Sequence, residues 1–153
     1  MSPTSGQSPP DPQAEILAVM LAVNQTFVAV ATRALAGLDP DVTLPQFRTL
    51  VLLDGHGRMT ISALADALGV VPSTATRMCD RLVGKKLVRR TVDRRDRRQV
   101  TITLAEAGRR LIAESTKRRR RELARILAVL PSGEQDQLAA ALRLLVTAAE
   151  AAS

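Results

Sequence analysis

The chain has 153 residues, enough for one domain with a real core, and its 22 Lys and Arg outnumber 15 acids for a net charge of +7. Two Phe with no Tyr or Trp nearly exclude a surface that binds by stacking bases on aromatic rings. One Cys and one His exclude a disulfide framework, a Cys-rich zinc site and a protein-only metal cage.

Residues 1–12 are rich in Pro, Ser and Gly without apolar periodicity, which predicts a disordered tail. Over 13–38, Ile16, Met20, Val23, Phe27, Val30, Ala34 and Leu38 recur at four- and three-residue steps, the seam of an amphipathic helix. Gly37 and Asp39-Pro40 stop it. Thr43-Leu44-Pro45-Gln46 is a capping-box pattern opening a helix that carries Phe47, Leu50 and Val51 and ends at Gly55-His56-Gly57. Thr60 caps a shorter helix with Leu64, Ala65 and Leu68 inward, closed by Gly69. Pro72 suits a first helical position. From it Ala75, Met78, Cys79, Leu82 and Val83 form an apolar stripe, with Ser73, Thr74, Arg77, Asp80, Arg81 and Gly84 outward and Thr76 at the margin.

The period then changes to two. Leu87–Val92 and Val100–Leu104 are β-branched alternating runs around Asp93-Arg94-Arg95-Asp96-Arg97-Arg98-Gln99, a hairpin with a four-arginine tip. A long helix is expected from about Ala105 to Pro131. Ser132 is expected to cap a last helix with Leu138, Leu142, Leu145 and Ala149 on one face. No apolar run approaches the roughly 20 residues of a membrane span, and no basic-then-apolar signal pattern opens the chain. The expectation is a soluble protein of a reducing compartment, the cytoplasm, with no membrane partner.

The charge is lopsided. Residues 1–71 carry three bases and six acids, residues 72–125 carry 18 bases and six acids, and residues 126–153 carry one base and three acids. The central excess reads either as an electrostatic footprint for a polyanion or as a solvated, salt-bridged surface. Two short helices joined by a tight turn and followed by a basic hairpin favour the first, because together they are a winged helix-turn-helix. A helix fits the major groove with its early residues at base edges. Here those residues are Ser73, Thr74, Thr76 and Arg77, with Arg81 one turn on. Arg94, Arg95, Arg97 and Arg98 suit the negative potential of a narrow minor groove, with Asp93 and Asp96 as braces for neighbouring guanidinium forks.

The ordered set Leu64–Val70, Pro72–Met78, Asp80-Arg81-Leu82, Leu87–Arg90, Asp96-Arg97-Arg98, Val100–Leu104 and Gly108 resembles the MarR (multiple antibiotic resistance) transcriptional regulators, most closely over residues 43–110. The resemblance implies a homodimer with interleaved first and last helices, two winged modules and a pseudo-palindromic operator in double-stranded DNA. It implies a repressor relieved by a small aromatic or amphipathic effector, with Asp96 bracing Arg98 in the minor groove while the helix from Pro72 reads the major groove. Two positions depart from the family pattern. Val71 stands where a Ser cap is common, and Lys86 stands where Gly usually follows the reading helix. A non-Gly residue there costs roughly 1 kcal/mol or more if its backbone is left-handed, so the helix end is expected to be remodelled.

Other features have blander readings. Lys117–Arg121 points all around a helix, so it is either a solvated face partly paired to Glu114 and Glu122 or an extra phosphate contact. Cys79, on the inward stripe, is a small core thiol or a redox switch. Phe27, Phe47 and His56 are the candidates for an effector cleft. His56, between two glycines and without a nucleophile motif nearby, gives no catalytic triad, and no acid–base set is assembled elsewhere: the chain reads as a binding protein without cofactor or metal. The competing reading is an architectural protein that coats nucleic acid indifferently to sequence.

The expected architecture is mainly α with a small β-hairpin, six helices in all. A disordered tail (1–12) leads to an N-terminal dimerisation helix (13–38), a winged helix-turn-helix lobe (43–104) and C-terminal dimerisation helices (105–150). The apolar seams over 16–38 and 138–149 need cover, and a symmetric partner supplies it most simply.

Overall fold

The computed structural model describes residues 11–92 and 100–152. It contains α1 (Pro12–Ala36), α2 (Leu44–His56), β1 (Met59–Thr60), α3 (Ile61–Leu68), α4 (Pro72–Gly84), β2 (Val88–Val92), β3 (Val100–Leu104), α5 (Glu106–Leu127) and α6 (Ser132–Ala151). The described residues hold six helices and a three-stranded antiparallel sheet in the order β1-β3-β2. The wing is this β2–β3 pair, in register from Val88 opposite Leu104 to Val92 opposite Val100. Its expected arginine tip, Arg94 to Arg98 with Asp96, lies outside the described residues.

Local chemistry sets the boundaries. Asp11 accepts the Gln13 N–H at 3.0 Å and Pro12 takes the first turn of α1, so the helix opens one residue before the expected 13. The Thr43–Gln46 capping box forms in both directions: the Thr43 hydroxyl accepts the Gln46 N–H, and the Gln46 side chain accepts the Thr43 N–H at 3.1 Å. Thr60 caps α3 by accepting the Ala63 N–H at 3.2 Å, and Gly69 ends it at φ 67°. Ser132 does not cap α6; it is the first helical residue after Pro131, whose side chain offers no acceptor.

The core lies inside the winged lobe. Leu50, Leu53, Leu64, Leu82 and Ile102 are fully buried, with Val88 and Cys79 beside them. β1, absent from the sequence reading, pairs Met59 with Ile102 and Thr60 with Thr101, which places the buried Met59 at the sheet edge nearest α3. α1 contributes only Val30, Ala34 and Leu35 to buried structure, and α6 contributes nothing. The expected seam of α1 is therefore split: its N-terminal half, from Ile16 to Phe27, stays exposed.

The expectation that no apolar run approaches membrane length does not hold for α1. α1 is 25 residues long with a mean hydropathy of 1.7 over an 18-residue window, so by length and composition it is sufficient to cross a membrane. Asn24, Gln25 and Thr26 interrupt its apolar residues, but no charge falls between Glu15 and Arg33.

α1 is fastened to the rest of the chain at its C-terminal end. Arg33 pairs with Glu122 of α5, and Arg118 donates from Nη1 to the Gly37 carbonyl at 2.8 Å. Below that joint, Lys85 Nζ lies 2.9 Å from Asp39 Oδ1 and 3.7 Å from Asp41 Oδ2. The residue that caps α4 is thus moored to the segment joining α1 to α2.

Candidate nucleic-acid interface

α4 presents two chemically different faces. Ala75, Cys79 and Leu82 are buried against the core, while Ser73, Arg77, Asp80, Arg81 and Gly84 are exposed. Ser73, Arg77 and Arg81 are spaced by four residues, which aligns them along about 12 Å of helix axis. Thr74 and Thr76 are half-buried at the margins. The Thr76 hydroxyl donates to the Pro72 carbonyl at 2.9 Å, so its proton is used within the helix and only its acceptor lone pair faces outward. Among the described residues, neither Arg77 nor Arg81 makes an ion pair, leaving both guanidinium groups available to an incoming anion.

Both ends of α4 are unusual. Its N-cap is Val71, which makes no side-chain capping bond and is 62% exposed. Its C-terminus is not remodelled by Lys86. Lys86 itself adopts φ 60°, its N–H bonds the Val83 carbonyl at 2.8 Å, and the Leu87 N–H bonds the Leu82 carbonyl at 3.0 Å. That is the double closure normally built on glycine. Here the chain retains it with a lysine and bears the strain.

The wing carries further cations that the sequence reading did not single out. Arg89 and Arg90 on β2 are exposed. Arg90 Nη1 donates to Asp80 Oδ1 at 2.9 Å, joining wing to helix. Period-two alternation would put Arg89 and Arg90 on opposite faces, and nothing in the sequence marks Asp80 as the partner of either. Cys79, next to Asp80, is 1% exposed. Burial pushes its thiol up to about 11, the Asp80 carboxylate adds to the rise and Arg90 opposes it. A thiol so placed stays protonated at neutral pH, which makes it the core residue of the two readings.

Of the three proposed cleft residues, two come together. Phe27 and Phe47 line a cavity of about 680 Å³ between α1, α2 and the α4 side of the lobe, with Val51, Leu68, Met78 and Arg119. His56 is not among the lining residues; it ends α2 with Nδ1 3.0 Å from the Leu52 carbonyl. Arg119 is the residue the sequence hid. It belongs to the basic run 117–121, yet it turns inward, with its guanidinium 5.7 Å from the Phe47 ring centre. Its Nη2 donates to Thr116 at 3.3 Å, and its Nε is buried without a partner. The rest of the run is mixed. Arg118 lies 3.8 Å from Glu114 and Lys117, Arg120 and Arg121 are exposed, while Glu122 is taken by Arg33.

The sequence pattern of the MarR family matches residues 42–100, from just before α2 through the helix pair to the first residue of β3. MdtR, an HTH-type transcriptional repressor of Bacillus subtilis, is 32% identical over 133 residues, 86% of this chain and 86% of its own length. The chain belongs to the MarR family. It is therefore a DNA-binding transcriptional regulator and not an enzyme. The crystal structure of RV1404 from Mycobacterium tuberculosis agrees with the fold at a TM-score of 0.81 and 35% identity, covering 93% of this chain and 97% of that one. A MepR variant from Staphylococcus aureus, solved bound to an oligodeoxyribonucleotide, is similar at a TM-score of 0.69 and 25% identity over 87% of this chain and 96% of that one. In MarR-family terms α3 and α4 are the helix-turn-helix, and β2 and β3 the wing.

Proposed function

We propose that the protein binds a pseudo-palindromic operator as a homodimer, represses transcription, and is released by a small aromatic or amphipathic effector. The observation that carries this reading is the exposed face of α4, where Ser73, Arg77 and Arg81 stand in line beside the basic wing. In the bound state Ser73, Thr74, Thr76 and Arg77 meet base edges or phosphates in the major groove, with Arg81 on the backbone. The wing tip enters the minor groove through Arg94, Arg95, Arg97 and Arg98, with Asp96 holding Arg98. The operator lies in the cytoplasm, and so does the protein that reads it.

The dimer accounts for the apolar surface that the single chain leaves uncovered. Ile16, Met20 and Val23 of α1 face Leu138, Leu142 and Leu145 of α6 across an open apolar trough, with residues on both sides more than a third exposed. A second copy covers this surface, and its two-fold axis sets the two reading helices one DNA turn apart, about 34 Å. The effector site in this reading is the cavity lined by Phe27, Phe47 and Arg119. A ligand there bridges α1 and the lobe, and it releases DNA by binding more tightly to a dimer whose reading helices no longer match the groove spacing.

The test is equilibrium binding to a palindromic site from the protein's own promoter region against random duplex, at physiological salt. Preference of at least ~10³ is expected for an operator reader. Equal affinity for the two duplexes would assign the protein to sequence-indifferent coating of nucleic acid.

A further inference from the structure

Large apolar side chains exposed among the described residues fall into two groups. Those on α1, on the last turn of α5 and its following loop, and on α6 lie on the helices assigned above to the dimer. On the winged lobe only Val51, Val71 and Val92 remain, and Val51 lines the cavity. Val92 ends β2 at the wing. Val71 is the most exposed of the three, at 62%, and it sits at the mouth of the reading helix. Its neighbour Val70 lines the cavity.

Folding does not account for Val71. The N-cap position favours Ser, Thr, Asp or Asn, whose oxygen accepts an orphan N–H; Val satisfies none and is among the poorest caps. Both other N-caps that open helices of the lobe, Thr43 and Thr60, make their bonds. An apolar branched side chain that neither caps nor packs leaves water only when something else covers it. On a helix whose first residues meet base edges, the apolar feature available in the major groove is the 5-methyl group of thymine.

We propose that Val71 is a specificity-determining residue, its methyl groups packing on the 5-methyl of a thymine in the bound duplex. This rests on α4 being the helix that reads the groove. Duplexes selected by the full-length protein from a random pool are the substrate for the test. Each thymine is replaced in turn by deoxyuridine, which removes only the methyl, and binding is measured for the wild type, Val71→Asn and Val71→Thr. The wild type is expected to show a methyl-sensitive position in each half-site, losing about fourfold in affinity there. Val71→Asn caps α4, so it folds at least as stably, and it loses that sensitivity. Val71→Thr, which keeps one methyl and gains a capping hydroxyl, retains part of it. A wild type indifferent to every methyl, or the same sensitivity in Val71→Asn, overturns the assignment while leaving the operator reading intact. Failure to select any sequence overturns both.

Discussion

Arg90 reaches back from the wing to Asp80 on α4, Nη1 to Oδ1 at 2.9 Å, with the two side chains 40% and 55% exposed. Such a pair adds little to stability, less than about 1 kcal/mol by a double-mutant cycle. Its effect lies in withholding Arg90 from phosphate. Asp80→Asn is expected to steepen the slope of log affinity against log salt by up to about 1, as one more cation becomes available. Arg90→Ala should abolish that difference. If Asp80→Asn leaves the slope unchanged, Arg90 already contacts the DNA backbone.

Arg77 is exposed at the middle of the α4 face and packs against nothing in the core. Arg77→Ala should leave thermal unfolding within experimental error. Base preference should relax at one operator position by about 1–3 kcal/mol, as expected for a lost bidentate contact to guanine. A uniform loss of affinity for all sequences would instead make Arg77 a phosphate ligand.

Gly108 permits the start of α5 to lie against the base of the wing. A Cβ there would sit 2.3 Å from the Leu87 carbonyl oxygen and 2.6 Å from Leu104 Cδ1. The carbonyl cannot yield freely, since it accepts the Ala105 N–H at 3.0 Å. Gly108→Ala should therefore destabilise by about 1–3 kcal/mol in urea unfolding, despite alanine's better helix propensity.

Lys86 holds a left-handed backbone at φ 60°. Relief of that strain outweighs the greater chain entropy that glycine gives the unfolded state, so Lys86→Gly should raise stability by about 0.5–1 kcal/mol. The two closing hydrogen bonds to Val83 and Leu82 remain available in the variant. A loss of stability on this substitution would show that the lysine side chain compensates for its backbone.

The Cys79 thiol, raised by burial and by Asp80 from 9.0 to about 11, makes a pH-dependent contribution of known sign. The folded state holds the proton more tightly than the unfolded state. The contribution is complete below pH 9 and is lost as pH rises from about 9 to about 11. Wild type should lose stability across that window more steeply than Cys79→Ala. Thiol reagents at neutral pH should label Cys79 only as fast as the lobe opens.

Much of this was legible in the chain because it depends on neighbours in sequence. The Thr43 and Thr60 caps, the inward stripe of α4 and the two strands of the wing follow from spacings of two, three and four residues. β1 was not legible: two residues are too short to show a period, and Met59 and Thr60 are strand only because Ile102 and Thr101 lie opposite. Arg119 was hidden inside a run of five cations, where composition suggests solvent. Only the position of α2 brings the Phe47 ring beneath its guanidinium. The partition of the α1 seam was likewise invisible, since periodicity marks an apolar stripe without saying which copy of the chain covers it. Membrane-length hydropathy in α1 escaped notice because its uncharged polar residues interrupt the run without ending it.

The ammonium of Lys85 carries a mechanical meaning. It gives the last turn of α4 and the loop after α1 a common anchor, Asp39. Tilting the long first helix against the lobe must either carry α4 along with it or strip a half-sheltered cation of its counter-charge. Either course carries a disturbance of α1 to the helix proposed to meet DNA.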